Sequence, residues 1–363
     1  MTKSITIDRK KRLREEPGKG HNRWHPDVPA VIEVEPGEDV AIETRDANDL
    51  QIGPKTTAKD LEKLERTVAH PLTGPVYVKG AKPGDLLEIE YLDIVPERYG
   101  WTRFAPGGGF LPDLFDYHFV CHWDITPGYA TSPQLPGVRI PNGAFMGTAG
   151  LAPSREQLKK WFAREEELRE RGGRVFPPTK VGSVPPEGKI AEEGLRTIPP
   201  RENCGNADIK QLTKGSKLFI PVAVDGALYS VGDGHFAQGD SECCGTAIEM
   251  GATAVVRFKL YKDEARTKNI RWPRLWHRGA TQGPEIATMG MPITAEGKNE
   301  NCDITLATRN AVLEMIQLLE ERGWSREQAY VICSVAVDLR ISNVVDVPNV
   351  TVSAFLPEGI FQA

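Results

Sequence analysis

The feature that most narrows the fold is a recurring grammar of short β-branched runs broken by Pro-Gly turns. VIEVEPGEDVAIET begins at Val31, and the same pattern returns in VYVKGAKPGDLLEIEYLDI from Val76. Each predicts a pair of hairpin or neighbouring strands. LFIPVAV, ALYSVG and TAVVRFKLY continue the pattern at short spacing. Many short strands with Gly-rich turns specify a sandwich or barrel, so the expected scaffold is mainly β.

Helical periodicity appears in few places. Ser154 and Gln157 form a capping-box pattern, after which Leu158, Trp161, Phe162 and Leu168 share one helical face up to Gly172 and Gly173. A second helix is expected from Thr308 through Met315 to Gly323. A third is expected from the capping box Ser325 and Gln328 through AYVICSVAVDL, closing a C-terminal helical hairpin against the sheets. Residues 172–201 are rich in Pro, Gly and charge and predict a surface connector between a β lobe with one helix at 1–171 and a second β lobe at 202–363. With 363 residues, two packed lobes are expected.

Charge excludes one class of partner. Forty-five basic and 50 acidic residues leave a formal charge of -5, and no basic stripe interleaved with aromatics is present, so nucleic acid is not expected. No apolar run is long enough to span a membrane and the N-terminal stretch is charged, which predicts a soluble, cytoplasmic protein whose six cysteines are reduced.

Chemistry concentrates in GDGHFAQGDSECCGTAIEM, residues 232–250. On a strand, Asp233 and His235 project to one side and suit a divalent metal of the zinc type. Asn206 and Asp208 stand two apart in ENCGNADIKQL, which also reads as an Asx-type turn. The strand-like text between the two clusters, KLFIPVAVDGALYS, predicts an out-and-back hairpin that brings both to one end of a sheet. Glu242 then serves as acid/base group beside a metal that lowers the pKa of its bound water to about 7, the combination amide hydrolysis needs. Cys244 offers a rival nucleophile, although a Cys before Gly-Thr-Ala-Ile is usually a small buried residue. His21, His25 and His70 lie in turns and predict structural roles; His118 and His122 predict packing or surface positions, and Asp46 and Asp49 an Asx-rich turn.

These two motifs, in this order and at this distance, resemble the acetamidase/formamidase family of small-amide hydrolases. The likeness extends to HNRWHPDVPAVIEVEPGEDVAIETRDAND, HPLTGPVYVKGAKPGDLLEIEYLDI and DLRISNVVDVPNVTVSAFLP, most of the chain. It implies a jelly-roll-like β-sandwich with an added α/β portion, a homo-oligomer, and a divalent ion, zinc by preference. Carried over by residue, Asn206 and Asp208 match its Gly-Asn-x-Asp element, while Asp233, His235, Gln238, Asp240 and Glu242 match its Gly-Asp-x-His-x-x-Gln-Gly-Asp-x-Glu element. The expected division makes Asn206, Asp208, Asp233 and His235 metal ligands and Gln238, Asp240 and Glu242 catalytic groups. Formamide and acetamide are the expected substrates, with a lactam behind them. Two alternatives stay open: a cysteine-nucleophile amidase or lactamase using Cys244, and a non-catalytic metal- or ligand-binding sandwich. Cys204 and Ser241 depart from the family's usual Gly-Gly-Asn and Gly-Glu, and Cys243 from an aliphatic residue, leaving the substrate open.

Overall fold

The computed structural model describes residues 3–109, 116–134, 140–238, 242, 244–279, 283–324, 337–358 and 361. Among these, strands form a nine-stranded sheet and an eleven-stranded sheet that share one core, as in a β-sandwich. Period-two alternation builds the first sheet. In Ala252–Tyr261, residues Ala252, Ala254, Val256 and Phe258 are buried while Arg257 and Lys259 face outward. The neighbouring strand Leu86–Pro96 pairs along its length with a register shift between Val255 and Val256, and sets Ile89 opposite Phe258. Across the core, Phe258 meets Tyr229 of the second sheet edge-to-face at 5.3 Å.

The Pro-Gly turns do something other than close hairpins. Ile32–Val34 pairs with Leu72–Val78 in the eleven-stranded sheet, whereas Asp39–Thr44 pairs with Ala252–Tyr261 in the nine-stranded one. Likewise Leu72–Val78 and Leu86–Pro96 belong to opposite sheets. Both turns therefore carry the chain across the sandwich. The hairpin expected between the two chemical clusters is corrected in the same way: Lys217–Pro221 lies in the nine-stranded sheet and Tyr229–His235 in the other. Alternation tells which residues face the core, and it is silent on which sheet receives a strand.

Phe145–Leu151 supplies the juxtaposition instead. It pairs antiparallel with Cys204–Asn206 on one side and Tyr229–His235 on the other, setting Thr148 opposite both Asn206 and Gly232. Tyr229–His235 and Phe145–Leu151 are buried at every residue. On its far edge Tyr229–His235 changes partner, from Leu72–Val78 up to Gly232 to Glu249–Met250 from Gly234 onward. Asp233 sits at this fork with φ 58°, a left-handed conformation that a non-glycine residue rarely adopts.

Helix Arg155–Glu170 starts with the expected capping box, Ser154 Oγ accepting from the Gln157 amide at 3.1 Å and Gln157 Oε1 accepting from the Ser154 amide at 2.9 Å. Leu158, Trp161 and Leu168 face inward, but Phe162 is 44% exposed. The helix grips the strand bearing Asn206 through charge: buried Arg201 is bidentate with Glu165 at 2.6 and 2.9 Å. The second helix begins at Ile304, earlier than expected, because Asp303 caps the Leu306 amide. It packs Ala307, Ala311 and Met315 against Thr351–Pro357 and Gly283–Gly290. The Ser325 capping box lies outside the described residues, and Asp338 and Leu339, expected at the end of a third helix, open the strand Asp338–Asn343. Segment 172–201 is no mere surface excursion: Val184, Leu195, Arg196, Thr197 and Arg201 are buried. No described helix is long and apolar enough to cross a membrane.

His21 ties the N-terminal segment to the central strand, its Nδ1–H donating to the Arg23 carbonyl at 2.7 Å and its Nε2 accepting from Ser230 Oγ at 2.8 Å. Burial lowers its pKa to about 4. Protonation therefore opposes folding, and this contribution is complete above the unfolded value of 6.5 and lost as pH falls toward 4. Up to about 3 kcal/mol is expected to vanish across that window. Urea midpoints between pH 7 and 5 test this: His21→Gln is expected to flatten the wild-type slope, and equal slopes would refute the assignment.

Candidate active site

The fork in the central strand opens onto a cavity of about 330 Å³ whose floor carries Asp208, Asp233, Glu249 and Asp346. His235 Nε2 lies 3.4 Å from Asp233 Oδ1 and 3.2 Å from Glu249 Oε2, and its Nδ1 lies 3.9 Å from Asp208 Oδ1. Pairing explains the first contact set, since Glu249 is the direct cross-strand neighbour of His235. Gln238 sets the ring. His235 Nδ1–H donates to Gln238 Oε1 at 3.1 Å, and Gln238 Nε2 donates to the Asp208 carbonyl at 2.9 Å. With Nδ1 protonated, Nε2 presents its lone pair to the Asp233 and Glu249 side.

Four buried atoms here have no hydrogen-bond partner: Asp208 Oδ1, Asp233 Oδ1, His235 Nε2 and Glu249 Oε2. Buried polar atoms are rarely left so, and four converging orphans suit a cation. The backbone leaves room for one. A Cβ on Gly147 would lie 2.5 Å from Asp208 Oδ1 and 2.9 Å from Asp233 Oδ2, so the absence of a side chain keeps the hollow open. Two overlapping groups have donor atoms within 4.8 Å of one another, Asp233 with His235 and Glu249, and Asp208 with His235 and Glu242. The cluster can hold a metal ion.

Electrostatics points the same way. Burial, then Glu242 and Asp346, push the Asp208 pKa well up; burial, then Asp346 and Glu249, do the same to Glu242. Burial also raises Glu249 and Asp346. Against its burial, Asp233 is held down by the neighbouring His70 and His235, and His235 is raised, against its own burial, by Glu249 and Asp233. Like charges this close cannot all ionise without a counter-charge. Asp208, Asp233 and Glu242 also share positive φ values of 48°, 58° and 51°, local strain of the kind that gathers at functional sites.

Asn206 is engaged at both ends, its Oδ1 accepting from Thr148 and its Nδ2 donating to Asp346. Asn343 Nδ2 donates to Asp208 Oδ2 at 2.9 Å and to Asp346 Oδ2 at 2.7 Å. The turn expected at Asn206 and Asp208 is thus a strand end with every polar group committed to the cluster or the cavity. Asp240 lies outside the described residues. Cys244 lines the cavity wall, with its Sγ 3.4 Å from the Thr246 carbonyl.

Several members were missed. His70, expected to be structural, lies with Nδ1 3.4 Å from Asp233 Oδ2 and lines the cavity. Glu249, Asn343 and Asp346 also escaped, and Asn343 and Asp346 arrive from the end of strand Asp338–Asn343 and the turn after it. The Asn- and Asp-rich text SNVVDVPN was the available signal. His21 and His25 are structural as expected, His122 packs against the Tyr99 hydroxyl at 2.8 Å, and Asp46 accepts from the Asn48 and Leu50 amides in an Asx turn. Gly108 and Gly109 also line the cavity.

The hollow of buried carboxylates and histidine thus lies beneath the cavity, at the fork of a central strand of the sandwich. The chain belongs to the acetamidase/formamidase family, whose model it matches over residues 6–363, and is an amidohydrolase. It is 38% identical to an acetamidase of Mycolicibacterium smegmatis over 90% of this chain and 88% of that one. A formamidase of Methylophilus methylotrophus is 37% identical over 100% of this chain and 94% of its own. Among solved structures, a gamma lactamase from Delftia acidovorans superposes with a TM-score of 0.74 at 35% identity, covering 100% of this chain and 94% of that one.

Gly147→Ala tests the hollow. The added methyl group collides with Asp208, His235 and Asp233, so bound metal in the purified protein is expected to fall sharply and activity by roughly 10² or more. Unchanged metal content with a folded circular-dichroism spectrum would refute the assignment.

Proposed function

We propose that the chain hydrolyses small linear amides of the formamide and acetamide type to a carboxylate and ammonia, with a divalent ion, zinc by preference, in the hollow. The observation that carries this reading is the convergence of the four orphaned atoms at the cavity floor. A bound ion there supplies Lewis acidity and a nucleophilic water at neutral pH.

Asp233, His235 and Glu249 would hold the ion, with Asp208 Oδ1 across the same hollow. Asn206 and Gln238 position these groups, Asn206 by fixing Asp346 and Gln238 by fixing the His235 ring. Glu242 serves as the acid/base group, with Asp240 close to it in sequence as a second. Burial first, and Asp346 and Glu249 next, raise the Glu242 pKa, so its carboxylate would accept a proton from water and then deliver that proton to the leaving nitrogen. His70, 3.4 Å from Asp233, holds that carboxylate ionised.

The cysteine route has weaker support. Cys244 Sγ faces the carbonyls of Thr246 and Arg103 at 3.4 and 3.9 Å, contacts that engage a thiol as donor and supply no base. Glu242→Gln is expected to lower turnover by roughly 10² or more with metal retained, while Cys244→Ala costs about 1 kcal/mol of stability and little activity. Ammonia release from formamide and acetamide, read beside elemental analysis, separates the cases. A chelator-insensitive enzyme killed by Cys244→Ala would establish the thiol mechanism, and metal without ammonia release would establish a binding module.

The proposal extends to a homo-oligomer in a cytoplasmic setting. Light scattering at micromolar concentration is expected to exceed the mass of one 40.1 kDa chain. A single-chain mass would refute assembly.

A further inference from the structure

The cavity is larger than formamide or acetamide requires. At about 330 Å³ it falls in the range, ~300–1,000 Å³, that accommodates ligands of many heavy atoms. Its composition is also two-sided. The floor is acidic, while Arg66, Arg103, Arg174 and Arg196 line the remainder. None of the four is paired with a carboxylate among the described residues, although most other arginines of the chain are. Arg66 and Arg174 are exposed.

Two of these guanidiniums are fixed and under-used. Arg196 is 5% exposed; its Nη2 donates to the Arg66 carbonyl at 2.8 Å, its Nε has no partner, and its Cζ lies 5.8 Å from the centre of the Phe176 ring. Arg103 likewise keeps an unpartnered Nε and rests 5.9 Å from the Trp101 ring. Burial, then the charge of Arg66, lowers the Arg103 pKa, and burial lowers Arg196 to about 10. Unpaired cations held together in a partly buried wall lower their energy by taking up an anion, and the arginine fork fits a carboxylate bidentately.

We propose that the preferred substrate is the monoamide of a short dicarboxylic acid, its amide on the acidic floor and its distal carboxylate against these arginines. The inference rests on the amidase reading and narrows its substrate class. Phe104, Phe176 and Ile198, also in the lining, give the intervening methylenes an apolar wall. The reaction balances as hydrolysis: water oxygen bonds to the acyl carbon, the C–N bond breaks, and the nitrogen leaves with both water protons as ammonium, giving a dicarboxylate.

Succinamate and butyramide, alike in chain length, differ in the terminal charge. For the metal-loaded enzyme, kcat/KM is expected to favour succinamate by about tenfold or more, with an advantage that shrinks in high salt. In the double variant Arg66→Gln with Arg174→Gln, both at exposed side chains, the succinamate-to-butyramide ratio is expected to fall about tenfold. A wild-type ratio near unity, or a ratio unchanged in the variant, overturns the proposal while leaving the amidase reading intact. Failure to release ammonia from any amide sinks that reading instead. Calorimetric titration of Glu242→Gln with both compounds then decides the inference: tighter, salt-sensitive binding of succinamate supports it, and equal binding refutes it.

Discussion

The pairing of Phe145–Leu151 with strands on both sides is the constraint on which the site depends. Cys204–Asn206 and Tyr229–His235 are separated in sequence by an excursion through the other sheet, and only the strand between them fixes their register. A one-residue slip would turn Thr148 away from Asn206 and Asp233 and place a side chain where Gly147 now leaves space. The buried Arg201–Glu165 pair reinforces the same register from outside the sheet. Such a pair contributes more to uniqueness of position than to net stability, because desolvation offsets much of its attraction.

Within that frame, the cluster is costly unless something compensates it. Four buried acidic side chains, Asp208, Asp233, Glu242 and Glu249, and the half-buried Asp346 surround two histidines, and three of the five sit on strained backbone. Hydrogen bonds from Asn206, Asn343 and Gln238 tie the cluster together yet leave its central atoms unsatisfied. A site with such a deficit would gain stability from a cation it captured, which would link folding to ion binding.

Much of this was legible in sequence where the signal was local. Asp233 and His235 are two residues apart and do converge; Ser154 and Gln157 do cap a helix. The mainly β class followed from β-branched runs and turn residues. What escaped was long-range. His70 looked like a turn histidine because its partner is distant in the chain, and Asp346 reaches Asn206 from the C-terminal region. The Pro-Gly segments gave the positions of chain reversal without saying whether the next strand returns to the same sheet or crosses to the other. Pairing partners in a sandwich are chosen by the whole core, and no window of sequence contains that choice.

The hollow draws on residues from His70 to Asp346, a span of about three quarters of the chain. During synthesis, Asp208, Asp233 and Glu249 emerge well before Asn343 and Asp346, which belong to the last part of the sandwich to be made. The ribosome-bound intermediate therefore has its acidic residues without the amide of Asn343 that ties Asp208 to Asp346. A product truncated before these strands would keep Asp208, Asp233 and Glu249 and lack the amide that joins Asp208 to Asp346.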